Sequence, residues 1–105
     1  MDTVEDMHLP TAAADRKALP ICTGVLDYFP RAMVAIAALS KAGSEQHNPG
    51  KPLFWDRTKS MDHADCILRH MIDRGKLDVD GLRHSTKVAW RALALLELEL
   101  EAAES

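Results

Sequence analysis

Two aspartates three residues apart, Asp62 and Asp65, and two histidines on either side of a short connector, His70 and His84, are the side chains best placed for chemistry. Residues at i and i+3 share one face of a helix. Oxygen donors are what magnesium or manganese takes, so Asp62 and Asp65 could hold a divalent cation once a further carboxylate or a phosphate joined them. Glu45, in the polar stretch Glu45-Gln46-His47-Asn48, is a candidate third carboxylate, although a solvated loop is the commoner explanation of such a stretch. The plainer alternative is that Asp62 sits in a helix's first turn, where negative charge suits the dipole, while Asp65 pairs with Arg69.

His70 and His84 become neighbours if the chain folds back across the segment that holds Asp78 and Asp80. Together they could grip phosphate, serve a proton transfer or bind a borderline metal. Alternatively, Asp80 caps the following helix and one of the histidines hydrogen-bonds to that turn. Trp55, with Lys51, Arg57 and Lys59 nearby, could form a nucleotide-binding edge: the indole offers a stacking surface and the cations answer phosphates. Equally, Phe54 and Trp55 could pin their segment onto the rest of the domain, and Trp90, inside an apolar run, is expected in the core. His63 follows Asp62 and does not precede an aspartate, so the His-Asp pair of metal-dependent phosphohydrolases is absent.

The elements that must position these groups read as helices. Residues 1–20 form a flexible arm bracketed by Pro10 and Pro20, and residues 21–105 a single helical domain. Ile21–Phe29 is expected to be a short packed lead-in. Pro30 suits the first turn of a helix, where its missing N–H costs nothing, and the alanine-rich run that follows predicts a helix ending at Gly43. Residues 44–59 form a connection that Pro49 and Pro52 keep from helical continuation. A second helix is predicted from Ser60 to about Arg74, closed by Gly75. Its periodicity places Ala64, Ile67, Leu68, Met71 and Ile72 on one side, with His63, Cys66 and His70 toward one flank. A third helix is predicted from Leu82 to about Ala102, apolar nearly all round beyond Val88, with His84, Lys87 and Arg91 as a polar stripe. The short connector makes the last two helices antiparallel neighbours. The fold class is therefore an all-α antiparallel bundle, and three helices leave enough apolar surface uncovered to favour a homo-oligomer.

The bulk numbers set limits on function. The chain has 105 residues, 47% of them hydrophobic and mostly alanine and leucine, which suits one small helical domain. Thirteen Lys+Arg against sixteen Asp+Glu give a formal charge of −3, which argues against bulk nucleic-acid binding. Cys22 and Cys66 make no disulfide scaffold and no CxxC pair. No run reaches the roughly 18 apolar residues of a membrane span, and the acidic first twenty residues lack the apolar core of a signal peptide. A cytoplasmic location is expected.

Several blocks together resemble a family found mainly in bacteriophages and prophages, the dATP/dGTP diphosphohydrolase N-terminal domain. They are Gly24-Val25-Leu26-Asp27-Tyr28-Phe29-Pro30, Ser40-Lys41-Ala42-Gly43, Gln46-His47-Asn48-Pro49-Gly50, Trp55-Asp56-Arg57, Asp62-His63-Ala64-Asp65-Cys66, Leu68-Arg69-His70 and the run from Asp78 to Glu97. The resemblance implies a MazG-like, all-α nucleoside triphosphate pyrophosphatase. Such an enzyme would cleave purine dNTPs to monophosphate and pyrophosphate with Mg²⁺ or Mn²⁺, work as a dimer or tetramer, and serve nucleotide-pool control. Carried onto this sequence, it implies Asp62 and Asp65 as metal carboxylates, with Glu45 the possible third. Arg69, His70, His84 and Lys87 would face the phosphates, and Trp55 or Asn48 would meet the base. The MazG-like pattern sets a Glu-x-x-Glu pair against a Glu-x-x-Asp pair, whereas the helix predicted from Arg31 holds no acidic residue. The rival expectation is a non-catalytic phage helical oligomer that binds nucleotide or a protein partner.

Overall fold

A computed structural model of the chain describes residues 7–104. The expectation of a flexible arm at residues 1–6 lies outside the described residues. All regular elements among the described residues are helical: α1 (Ala13–Lys17), a π-helical turn (Cys22–Leu26), α2 (Pro30–His47), α3 (His63–Ile72) and α4 (His84–Ala103). The one β-type pairing among the described residues is an isolated antiparallel bridge between Leu77 and Arg83. The architecture is an all-α, four-helix bundle. No single described helix is long and apolar enough to cross a membrane; only the bent pair Ala13–Leu26 and Pro30–His47, meeting at 84°, reaches that composition together.

Three helix boundaries differ from those expected, each because a local hydrogen bond outweighs propensity. α2 does not stop at Gly43 but continues to His47, which puts Glu45 on the helix. One glycine costs a helix only about 1 kcal/mol, and the added turn buries Ser44, whose Oγ accepts the N–H of Phe54 at 3.3 Å. α3 starts at His63 and not Ser60, with Asp62 preceding it. The chain before it is held in a turn in which Asp56 Oδ1 accepts from the backbone N–H and the hydroxyl of Thr58, at 2.9 and 2.6 Å. α4 starts at His84 and not Leu82, because the Leu82 carbonyl accepts the Asp78 N–H at 2.7 Å within the bridged connector.

α4 is the central element, packed against both α3 and α2. His70 meets His84, and His63, one heptad earlier on α3, meets Arg91, one heptad later on α4. That reversed register makes the two helices antiparallel. Gly75 and Gly81, both at φ +83°, supply the left-handed backbone that lets the connector turn back so tightly.

The packing departs from the expected faces. Against α4, α3 turns the flank of His63 and Cys66, both buried, with Ile67 and His70 half-buried. Leu68 and Ile72, on the apolar side predicted from the periodicity, are 64% and 77% exposed. A polar flank is chosen because His70 and His63 find partners on α4, which an apolar face could not provide. Cys66 and Ala94 are the buried apolar side chains, and Trp90 is half-buried. The segment Ile21–Phe29 is not packed: Ile21, Tyr28 and Phe29 are all more than half exposed.

Candidate functional site

The side chains that matter are set by the α3–α4 hairpin. His70 closes the last turn of α3, His84 opens α4, and the bridged connector between them carries Asp78 and Asp80. The Nδ1 atoms of His70 and His84 lie 2.8 Å apart, so one ring donates its N–H to the lone pair of the other. His84 Nε2 is 3.9 Å from Asp78 Oδ1. One ligand atom from each of His70, Asp78 and His84 lies within 4.8 Å of the other two. No other such group of three or more His, Cys, Asp or Glu occurs among the described residues.

Lys87, one turn into α4, bridges both connector aspartates. Its Nζ donates to Asp78 Oδ2 and Asp80 Oδ2, each at 2.7 Å. Those bonds hold the Asp78 carboxyl at a pKa of about 2, with the Val79 backbone N–H helping, and lower that of Asp80. Burial works against the charged Lys87, but the two carboxylates together outweigh it and raise its pKa. Asp80 does not cap α4: its Oδ1 accepts the Leu82 N–H at 3.0 Å, and Arg83 is the residue that precedes the helix. Burial, then the neighbouring His84 and Lys87, push the His70 imidazole below the usual histidine range. These causes favour the neutral ring over the cation.

Beside this corner runs a groove of about 410 Å³, within the range of small-molecule sites. Its walls include Asn48 from the end of α2, Trp55 from the following segment, His63 and His70 from α3, and Lys87 and Arg91 from α4. Lys59, Lys87 and Arg91 face it against Asp56 and Asp80. Trp55 packs edge to face on Trp90, with ring centroids 5.6 Å apart, and the Arg57 guanidinium covers one face of its indole at 4.2 Å. His63 forms a buried part of the wall, 5% exposed, with Nδ1 3.2 Å from Arg91 NH1. An imidazole accepting at Nδ1 carries its proton at Nε2, and that Nε2 is buried without a partner among the described residues. Burial first, and then the Arg91 charge, lower the His63 pKa and keep it neutral.

The residues picked from sequence fall into two groups. Asn48, Trp55, His70 and Lys87 come together along the groove, with His84 in contact with His70. The others lie off its walls. Asp62 pairs with Arg69 at 3.4 Å, in place of the expected Asp65–Arg69 pair, and Arg69 also donates to Cys66 Sγ at 3.0 Å. The Cys66 thiol first, and Arg69 second, lower the Asp62 pKa. Asp65 is exposed in the first turn of α3. Glu45 lines a separate hollow with Lys41, Lys51 and Leu53. Arg57 is engaged by Glu101, with Nε at 3.1 Å from both carboxylate oxygens.

His63, Asp78, Asp80 and Arg91 were not singled out from sequence as site residues. A signal was present: His63 and His70 lie one heptad apart, as do His84 and Arg91. On antiparallel helices, two pairs of equal spacing can meet rung by rung when those faces are turned together.

The donor set decides which ion could fit. Two imidazole nitrogens and one carboxylate oxygen suit a borderline transition ion, whereas magnesium requires oxygen ligands. The residues of this corner can chelate a divalent metal, but they do not fit magnesium.

Comparison with protein-family models matches residues 10–105 to one described as dATP/dGTP diphosphohydrolase, N-terminal. No curated protein and no solved structure matches the chain.

Proposed function

This chain belongs to the dATP/dGTP diphosphohydrolase N-terminal family, and on that premise we propose that it takes part in hydrolysing purine deoxynucleoside triphosphates to monophosphate and pyrophosphate. The observation that carries this reading is one groove lined by an indole, by Lys59, Lys87 and Arg91 and by His70, with Asp78 and His84 next to His70 at its side. The base enters along the wall beside Trp55, and Asn48 offers its amide to the base edge. Arg91 and Lys87 lie along the same wall and bind the phosphates, the guanidinium through a fork of N–H donors. Asp80, ionised through its bonds to Lys87 and the Leu82 N–H, orients a water at the phosphate end. His70, Asp78 and His84 would hold the divalent cation, which when bound would neutralise phosphate oxygens as charge moves onto the leaving pyrophosphate. Asp62, Asp65 and Glu45 lie off the groove and have no part in this scheme.

The uncovered apolar surface supports a homo-oligomer. Val34, Leu68 and Ile72 are 71%, 64% and 77% exposed, on two different helices, and a second copy is the simplest cover for them. The same surface favours the second reading, a helical assembly that binds nucleotide without cleaving it.

Incubation of the purified protein with each of the four dNTPs and Mn²⁺, Zn²⁺ or Mg²⁺ separates the two. Monophosphate and pyrophosphate from dATP and dGTP, lost in His70→Ala and Asp78→Asn, are the expected products. Binding of dGTP with no product under any cation would leave only the assembly reading.

A further inference from the structure

We propose that the corner made by His70, Asp78 and His84 is a site for a borderline transition ion, of the iron, cobalt, nickel or zinc class, that discriminates against magnesium. The proposal deepens the cation role above but stands on its own geometry.

The three donors lie within 4.8 Å of one another, close to the roughly 3–4 Å spacing that bonds of about 2.0–2.2 Å give the ligands of a single ion. His84 Nε2 and Asp78 Oδ1, at 3.9 Å, already have that spacing. The His70 and His84 Nδ1 atoms, at 2.8 Å, are closer and share a proton. With His84 donating from Nδ1, its Nε2 and the His70 Nδ1 both carry lone pairs, so an ion taking those two atoms would break the ring–ring hydrogen bond and displace no proton.

The supports around the donors are those that ligands need. A metal-binding carboxylate is held by outer hydrogen bonds, and Asp78 has two: Val79 N–H to Oδ1 at 2.7 Å and Lys87 Nζ to Oδ2 at 2.7 Å. His84 and Asp78 are largely shielded, at 14% and 21% side-chain exposure. Each donor comes from a different element, namely the last turn of α3, the bridged connector and the first residue of α4. Asp78 and Asp80 bring two negative charges to the one on Lys87. Magnesium dehydrates reluctantly and takes oxygen almost exclusively; here one protein oxygen stands against two nitrogens.

Because the ion would join α3, the connector and α4, its binding would stabilise the fold as well as fill the corner. The test uses the full chain stripped with a chelator and then titrated separately with Co²⁺, Zn²⁺ and Mg²⁺. One equivalent of Co²⁺ should develop visible d–d absorption that Zn²⁺ bleaches, and Zn²⁺ should raise the melting temperature where equimolar Mg²⁺ does not. His70→Ala and Asp78→Asn should each weaken Co²⁺ binding at least tenfold, while Glu45→Gln and Asp65→Asn leave it intact. Circular dichroism of each variant confirms that its helices are formed, and His84→Asn serves if His70→Ala is unfolded. An equal thermal shift from Mg²⁺, no Co²⁺ absorption, or a Co²⁺ spectrum unchanged in His70→Ala and His84→Asn would overturn the proposal. A Co²⁺ signal without nucleotide cleavage would retain the site and remove the hydrolytic reading; cleavage with Mg²⁺ alone would do the reverse.

Discussion

Replacing Arg91 by methionine should expose how the groove wall is held. His63 is 5% exposed, and its one hydrogen bond among the described residues is the 3.2 Å contact from Arg91 NH1 to Nδ1. Methionine keeps most of the aliphatic stem that packs beside Trp90 but removes the donor. The imidazole would then be buried with both nitrogens unpartnered, and losing a bond from a charged donor to a buried acceptor costs about 1.5–3 kcal/mol. For a domain near this size each 1 kcal/mol lowers the melting temperature by about 4–8 °C, so a drop on the order of 10 °C is expected. The Arg91 charge is also the second cause of the lowered His63 pKa, so in the variant the ring should titrate closer to the ordinary histidine value while burial still holds it below. Thermal melts and NMR titration of the His63 ring protons read the two effects separately. A melt within about 2 °C of the parent, with His63 titrating unchanged, would show that the Arg91–His63 contact does not hold the wall.

Other perturbations test the remaining parts. Asp78 has its pKa lowered from 3.8 to about 2, so its contribution to stability is fully present above about pH 4 and is lost as pH falls toward 2. Lys87→Met should reduce that contribution, leaving the part due to the Val79 N–H, and the stability gap between parent and variant should narrow over that window in acid unfolding curves. Trp55→Ala should weaken dGTP binding about tenfold or more, given about 1–3 kcal/mol per stacked base, with Trp55→Phe recovering most of it in equilibrium fluorescence titrations. Glu45→Gln should leave nucleotide affinity and cation affinity unchanged in calorimetry, because Glu45 lines a different hollow. Leu68→Glu with Ile72→Glu should shift the mass measured by light scattering toward that of one chain, without loss of helical signal.

What could be read from sequence was the periodic part. The amphipathic pattern of residues 63–72 and the apolar run after Val88 announced α3 and α4, and the short connector announced their antiparallel pairing. Helix ends were less legible, because Asp56 capping its own turn and Asp78 bonding to Leu82 are local choices that propensity does not encode. The buried face of α3 was misread for a related reason. Hydrophobic periodicity favours burying Leu68 and Ile72, but which flank meets α4 depends on His63 and His70 finding Arg91 and His84. Half of the candidate site followed from the same limit. Asn48, Trp55, His70 and Lys87 were legible as residue types beside turns, whereas Asp78 becomes a candidate ligand only once the Leu77–Arg83 bridge turns it toward His84.

Crystals grown with Mn²⁺ or Co²⁺ and a non-hydrolysable dGTP analogue give the most direct test of a nucleotide groove flanked by a cation corner. The expected map has the purine at Trp55, the phosphates against Lys87 and Arg91, and an anomalous peak among His70, Asp78 and His84. A nucleotide bound across the exposed face of Asp62 and Asp65, with the groove empty and the peak there, would contradict it.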